Sequence, residues 1–217
     1  MDAIFSEVSP VTLQDDPAML DAAIAIYLEA FPPNERHPES LIRDRILSGR
    51  ERLIVGELES QVAFMALIWP LSGQPFGLLD YAAARQDCRG LGLGTAFMGF
   101  LRQYCQQRGE YLLLEVEDPK LAVDERDRHV RLRRIEFYRR SGGSLLENVP
   151  YILPPLQEST PTPMVLMLFP SDRAQPPSAG LMRELIQQIY WELCQRDASD
   201  PYLNSFLDQI VDPIVQT

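Results

Sequence analysis

Gly90, Gly92 and Gly94 alternate with Leu91 and Leu93 directly behind Arg89. They head a stretch in which Leu93, Ala96, Phe97, Phe100, Leu101, Tyr104 and Cys105 recur at helical spacing up to Gly109. A backbone without side chains can come close to a ligand. The first N–H groups of a helix have no partner in its own ladder, and the helix dipole adds positive potential there. The chemistry of such a turn is the holding of phosphate. Three phosphate ligands compete for it. A dinucleotide turn asks for G-x-G-x-x-G, and the third glycine position counted from Gly90 is occupied by Thr95. Glu115 does fall where a ribose contact would. However, Arg85-Gln86-Asp87-Cys88-Arg89 separates the glycines from the strand before them, whereas a dinucleotide turn leaves its strand directly. A nucleoside-triphosphate loop asks for a lysine after its last glycine, and Thr95 stands there instead. The pyrophosphate of coenzyme A remains, with a ligand-free glycine entry to the helix as the plainer alternative.

Two carboxylates stand on apolar strands. Glu115 lies within Leu112-Leu113-Leu114-Glu115-Val116, where a carboxylate must be paired, wet or functional. Asp80, on the strand ahead of the glycines, is its rival. Each also reads as a structural hydrogen-bond acceptor or a solvated strand end. Arg126, Arg128, Arg131, Arg133, Arg134, Arg139 and Arg140 could form an anion site, but a solvated helix face paired with Asp124, Glu125 and Asp127 explains them more simply. His37 and His129 stand alone. Cys88, Cys105 and Cys194 are far apart and not in metal-like spacing, so neither a metal site nor a disulfide framework is expected.

The elements that must position these groups follow from periodicity. Phe5 to Leu13 reads as an edge strand, with Pro10 barring a central place. Asp16-Pro17 opens a helix carrying Leu20, Ala23, Ile24, Tyr27 and Leu28, and Pro32-Pro33 ends it. A second helix starts near Pro38 and stops at Gly49. Leu53 to Val55, Val62 to Trp69 and Phe76 to Ala84 are strands. After the glycine turn and its helix, Tyr111 to Val116 is a buried strand. The charged loop Glu117 to His129 leads to a helix from about Arg131 to Ser141. Strands follow at Ser144 to Leu146 and Pro163 to Phe169. Leu181 to Leu193 and a segment opened by Asp200-Pro201 are amphipathic helices. The order predicts an α/β layered domain over residues 1–170, a linker over 171–178 and a helical extension over 179–217.

Arg89-Gly90-Leu91-Gly92-Leu93-Gly94 resembles the (Q/R)-x-x-G-x-(G/A) motif of the GNAT N-acetyltransferase superfamily, with Arg89, Gly92 and Gly94 at its fixed positions. Arg134-Ile135-Glu136-Phe137-Tyr138-Arg139-Arg140-Ser141-Gly142-Gly143 is similar to its second motif, a helix carrying a tyrosine before a glycine-marked turn. The resemblance extends over about Phe5 to Pro170. It implies an α/β (α+β) fold with a central mixed, mostly antiparallel sheet flanked by helices and splayed at the cofactor site. It also implies acetyl-CoA as co-substrate and acetyl transfer to an amine by direct attack. The pantetheine arm is then expected in the splay on the backbone of Ala82, Ala83 and Ala84, and the pyrophosphate on the backbone of Gly90, Leu91, Gly92, Leu93, Gly94 and Thr95 beside Arg89. By the same resemblance Tyr138 is the general acid, with a tyrosine that anchors its helix to the core as the plainer alternative. A phenol with a pKa of about 10 can protonate a thiolate whose conjugate acid is near 8.5. Leu114-Glu115-Val116 is similar to members in which that glutamate deprotonates the amine through water, which makes Glu115 the general base. Phe31-Pro32-Pro33-Asn34-Glu35-Arg36 falls where the superfamily lines its acceptor pocket; a rigid proline turn accounts for it equally. Two departures stand out. Glu117-Asp118-Pro119 replaces the asparagine common soon after this strand, and the loop to the tyrosine helix is long.

Composition agrees with an ordinary folded protein: 217 residues, 46% hydrophobic and 24% charged. The net charge of -11 argues against a nucleic-acid binder, since phosphate contacts need a basic surface. It suits a cationic amine, small molecule or peptide, although acidity also serves solubility alone. No stretch approaches the roughly 18 apolar residues of a membrane span, and the acidic N-terminus has no signal-peptide pattern. The expected setting is the cytoplasm. A non-catalytic acyl-CoA sensor or adaptor acting through its C-terminal helices is the competing function. Those helices could instead cap the domain or form a homodimer.

Overall fold

A computed structural model gives the fold and describes residues 3–156, 160–172 and 175–217. Part of the expected linker, Arg173 and Ala174, lies outside the described residues. The chain forms two compact units: Met1–Pro70 with Leu79–Tyr104 and Leu156–Ser159, and Leu71–Leu78 with Cys105–Pro155 and Thr160–Thr217.

The first unit holds β1 (Ile4–Val8), β2 (Arg52–Leu58), β3 (Gln61–Pro70) and, from Leu79 on, β4 (Phe76–Ala84), in that strand order, with β1–β2 and β2–β3 antiparallel. The expected strand over Phe5 to Leu13 stops at Val8. Ser9 caps the Thr12 N–H, and Pro10 opens a short helix, α1 (Pro10–Asp15), because proline at a first helical position withholds no needed donor. Asp16 caps α2 (Pro17–Ala30), and α3 (Glu39–Leu47) follows. Leu20, Ile24 and Tyr27 of α2 and Ile42 and Ile46 of α3 join Val55, Met65 and Leu67 of the sheet in one apolar core. At Gly56 the β2–β3 register shifts, and a Cβ there would lie 2.5 Å from the Phe5 ring. Glycine lets Phe5 lie on the strand backbone and meet Phe64, Phe97 and Phe100 at 5.6–5.8 Å. Most of α4 (Leu93–Arg108) belongs to this unit.

In the second unit β5 (Tyr111–Glu117) and β6 (Ser144–Glu147) flank β8 (Thr162–Phe169), all antiparallel, and β7 (Tyr151–Leu153) continues along the β6 edge of β8. The helix expected from about Arg131 begins six residues earlier, as α5 (Glu125–Ser141). Asp124 accepts the Asp127 N–H at 2.7 Å, and Glu125 and Asp127 lie in the first turn, where acids favour the dipole. What looks like a charged loop is therefore partly a capped helix. The tail holds α6 (Ala179–Gln188), a π-helical turn (Ile189–Leu193) and α7 (Pro201–Phe206). It is not wholly helical: β9 (Val215–Gln216) pairs with β6, Leu146 facing Gln216. Buried Leu185, Ile186, Ile189, Tyr190 and Phe206 show that the apolar stripe of the tail packs inward. Among the described residues no helix is long and apolar enough to cross a membrane.

Candidate active site

The glycine turn begins where β4 ends. Arg85 anchors it, its backbone N–H donating to Ala63 O at 2.9 Å and its guanidinium to Val62 O at 2.9 Å and Asp87 at 2.7 Å. The Gln86 N–H donates to the Glu29 carboxylate at 2.6 Å. Arg89 turns back on the strand, Nε donating to Ala84 O at 3.4 Å and the guanidinium 3.7 Å from Glu29. Gly90 and Gly92 both take φ = +81°, which L side chains resist, and a Cβ on either would meet nothing within 4 Å. The space above both backbones is open. The first helical bond, Ala96 N–H to Gly92 O, spans 3.0 Å, so the Leu93, Gly94 and Thr95 N–H groups precede the ladder of α4. Apart from buried Leu93, the turn from Arg89 to Thr95 is exposed or half-buried, and Ala82, Ala83 and Ala84 are half-buried at the end of β4. This arrangement fits a pyrophosphate: unobstructed glycine backbone followed by helix donors.

Beneath the same strand lies a charge cluster that sequence patterning does not reveal. Glu51 is 1% exposed, and Arg45 is 2% exposed with its guanidinium 5.1 Å over the Trp69 ring. Both Glu51 carboxylate oxygens and Asp80 Oδ2 are buried with no N–H or O–H donor among the described residues. The two carboxyl groups lie within hydrogen-bonding reach of each other, so a proton on one is the bond they can make. Burial pushes Glu51 up to about 7 against the pull of Arg45. Burial and the Glu51 charge push Asp80 well above the carboxylate range. Close by, burial and Arg45 hold the His37 imidazole down at about 4. The Tyr27 hydroxyl donates to His37 O at 3.0 Å and the Tyr81 hydroxyl to Glu35 O at 3.4 Å, while Phe31 and Tyr81 stack edge-on at 4.8 Å. These contacts pin the proline-rich connection between α2 and α3. The signal for Glu51 was slight: one acid just ahead of an apolar strand.

In the second unit Glu115 is half-buried on β5, opposite Leu166 of β8. The Tyr151 hydroxyl donates to its Oε1. Tyr151 itself is 2% exposed, and burial together with the Glu115 charge raises its phenol far above the ordinary value. Nothing in the sequence marked Tyr151. Tyr138 lies in the last turn of α5, where Gly143 N–H donates to its carbonyl at 2.8 Å. Among the described residues nothing hydrogen-bonds its hydroxyl. Burial raises the Tyr138 phenol, opposed by Arg134, so it is protonated at neutral pH. Along α5, Arg131 pairs with Asp127 at 2.9 Å, Arg134 with Glu117 at 2.9 Å and Arg128 with Glu125 at 3.3 Å, while Arg139 bonds Thr217. Those arginines already have partners. Among the described residues no group of His, Cys, Asp or Glu could hold a metal ion.

Residues 20–142 match the acetyltransferase (GNAT) family. The chain belongs to that family. Acetyl transfer from acetyl-CoA, its co-substrate, is therefore the general chemistry of this GNAT chain. Solved structures share the fold. A putative GNAT-family acetyltransferase from Bacteroides thetaiotaomicron is 22% identical with a TM-score of 0.65, covering 88% of this chain and 97% of its own. The aminoglycoside 6'-N-acetyltransferase of Enterococcus faecium is 15% identical with a TM-score of 0.55, covering 76% and 95%. A phosphinothricin acetyltransferase of Sinorhizobium meliloti, in complex with acetyl-CoA, is 16% identical with a TM-score of 0.55, covering 83% and 96%. No curated protein matches this GNAT chain.

Proposed function

We propose that this protein moves an acetyl group from acetyl-CoA to an amine, small molecule or peptide, by direct attack of the amine on the thioester. Acetyl-CoA supplies the activated acyl group. The observation that carries the reading is the turn before α4, where two left-handed glycines leave their backbone uncovered ahead of three helix N–H groups. Gly90 to Thr95 hold the pyrophosphate, with Arg89 beside them, and the backbone of Ala82 to Ala84 binds the pantetheine arm.

Tyr138 donates the proton to the leaving thiolate. Burial raises its pKa, so the phenol keeps its proton at neutral pH and has it to give when the thiolate leaves. Glu115 takes the proton of the attacking ammonium. Asp80 suits that task less well, because burial and the Glu51 charge both disfavour its ionised form. The net charge of -11 favours a cationic acceptor through long-range attraction. Aminoglycosides, the class named for the Enterococcus structure, therefore belong in the acceptor screen beside polyamines and lysine peptides. The adaptor alternative is weakened by the inward-facing tail, whose apolar stripe is buried.

The test joins two measurements. Acetyl-CoA is expected to raise the melting temperature of the full chain, and free thiol is expected to appear when kanamycin, spermidine or a lysine peptide is added. Absence of any stabilisation by acetyl-CoA would overturn the proposal. Stabilisation without turnover across a wider amine screen would transfer it to the sensor reading.

A further inference from the structure

The C-terminal segment lies beyond the residues that match the family, and its aromatic side chains surround one functional contact. Tyr151, from β7, donates its hydroxyl to Glu115. The Tyr151 ring meets Tyr190 of the π-helical turn at 6.3 Å and Phe206 of α7 at 6.0 Å, both nearly perpendicular. Tyr190 and Phe206 stand 6.1 Å apart, closing a triangle of three buried rings. The Tyr190 hydroxyl also bonds Ile152 O, tying the turn to the residue after Tyr151. Further along, Asp200 caps α7 through the Tyr202 and Leu203 N–H groups at 2.8 and 3.1 Å. Arg196 pairs with Asp200 at 2.7 Å and reaches Pro155 O at 3.3 Å, just past β7. Two of these contacts bear on the Tyr151 ring itself, and the bonds to Ile152 O and Pro155 O tie the tail to the backbone beside it.

We infer that Tyr151, clamped by Tyr190 and Phe206, is a positioning residue that holds the Glu115 carboxylate in place, so that the C-terminal segment is part of the catalytic apparatus. The inference rests on the proposed role of Glu115 as base. A carboxylate on a strand can swing through its side-chain torsions, and the Tyr151 donor on Oε1 restricts that rotamer. The donor also favours the ionised carboxylate, the form a base needs. Other titratable groups facing this contact are Tyr190 and Cys194 from the π-helical turn and its cap, and the Arg196–Asp200 pair before α7. Across β8, Leu166 is apolar.

The test follows the titration of Glu115 in the full chain, read from its carboxyl carbon in 13C-glutamate-labelled protein. Wild type is compared with Tyr151→Phe, which deletes the donor, and Phe206→Leu, which loosens the clamp but keeps the hydroxyl. Alongside runs kcat/KM against pH on whichever of kanamycin, spermidine and a lysine peptide the wild type acetylates. Tyr151→Phe is expected to raise the Glu115 midpoint by about one pH unit and to move the acid limb of kcat/KM with it. Its rate then falls about tenfold below the midpoint and approaches wild type above it. Phe206→Leu is expected to shift both in the same direction by less, and it carries the test if Tyr151→Phe does not fold. An unmoved midpoint, or a rate loss equal at every pH, would overturn the inference. Failure of acetyl-CoA to stabilise the wild type would instead sink the transferase reading, while the titration still decides whether Tyr151 controls Glu115.

Discussion

Replacing Glu51 by glutamine should remove a pH dependence that the wild-type fold carries through neutrality. Glu51 is 1% exposed, and its carboxyl rises from the ordinary 4.5 to about 7, burial being the main cause. A carboxyl raised in this way adds stability that is fully present below its unfolded value. That contribution disappears as pH rises through about 7. Between roughly pH 6 and pH 8 the linkage relation gives a loss on the order of 1 kcal/mol, or about 2–4 °C of melting temperature for a domain of this size. His37 acts with the opposite sign. Its imidazole is depressed from 6.5 to about 4, so its contribution is present above 6.5 and lost as pH falls through about 4. The two partly cancel in the wild type, and the useful quantity is the difference between proteins, in which His37 drops out. Glutamine keeps the shape of Glu51, leaves no cavity and gives Asp80 an amide donor beside Arg45. Because the two carboxyls titrate together, the lost slope belongs to the pair. Melting curves of both proteins from about pH 5 to pH 9 should diverge, the variant gaining on the wild type by those few degrees as pH rises. Parallel curves would refute the shared proton and the buried charge arithmetic behind it.

Gly92→Ala should fold, since its Cβ meets nothing within 4 Å, yet the +81° φ costs about 1–2 kcal/mol. The added methyl covers the backbone, so stabilisation by acetyl-CoA should shrink sharply in the thermal assay; an undiminished shift would remove the turn from the cofactor site. Tyr138→Phe should lower kcat by about a hundredfold while leaving acetyl-CoA stabilisation intact, a split that a helix-anchoring role would not produce. Gly56→Ala should destabilise by about 1–3 kcal/mol, because its Cβ would stand 2.5 Å from Phe5 and 3.0 Å from Phe64. A melting temperature within a degree of wild type would show that Phe5 yields freely.

The phosphate-type turn, the strands that flank it and the tyrosine helix were all legible by local rules. Alternate glycines, helical spacing behind Leu93 and the apolar run before Glu115 each act within a few residues. Where element boundaries depart from these rules, the deciding signals are also local but compete. Pro10 reads as a strand breaker or a helix opener, and Ser9 as its cap decided for the helix. Asp124 turned a run of charges into the first turn of α5, where loop and capped helix share a composition. β7 and β9 are too short to show alternation, at three and two residues, and exist because β8 and β6 offer them open edges.

By itself the sequence established the family, the α/β class and the glycine backbone that suits a pyrophosphate, because these depend on residue type and near spacing. Only the tertiary structure decided which carboxylates are charged and what holds them. Glu51 and Asp80 lie far apart along the chain, and each would be an ordinary acid in water; burial beside one another raises both carboxyls. Glu115 looked alone on its strand until β7 brought Tyr151 to it and the tail closed around that ring. Protonation state and side-chain placement depend on partners distant in sequence, and no local pattern encodes them.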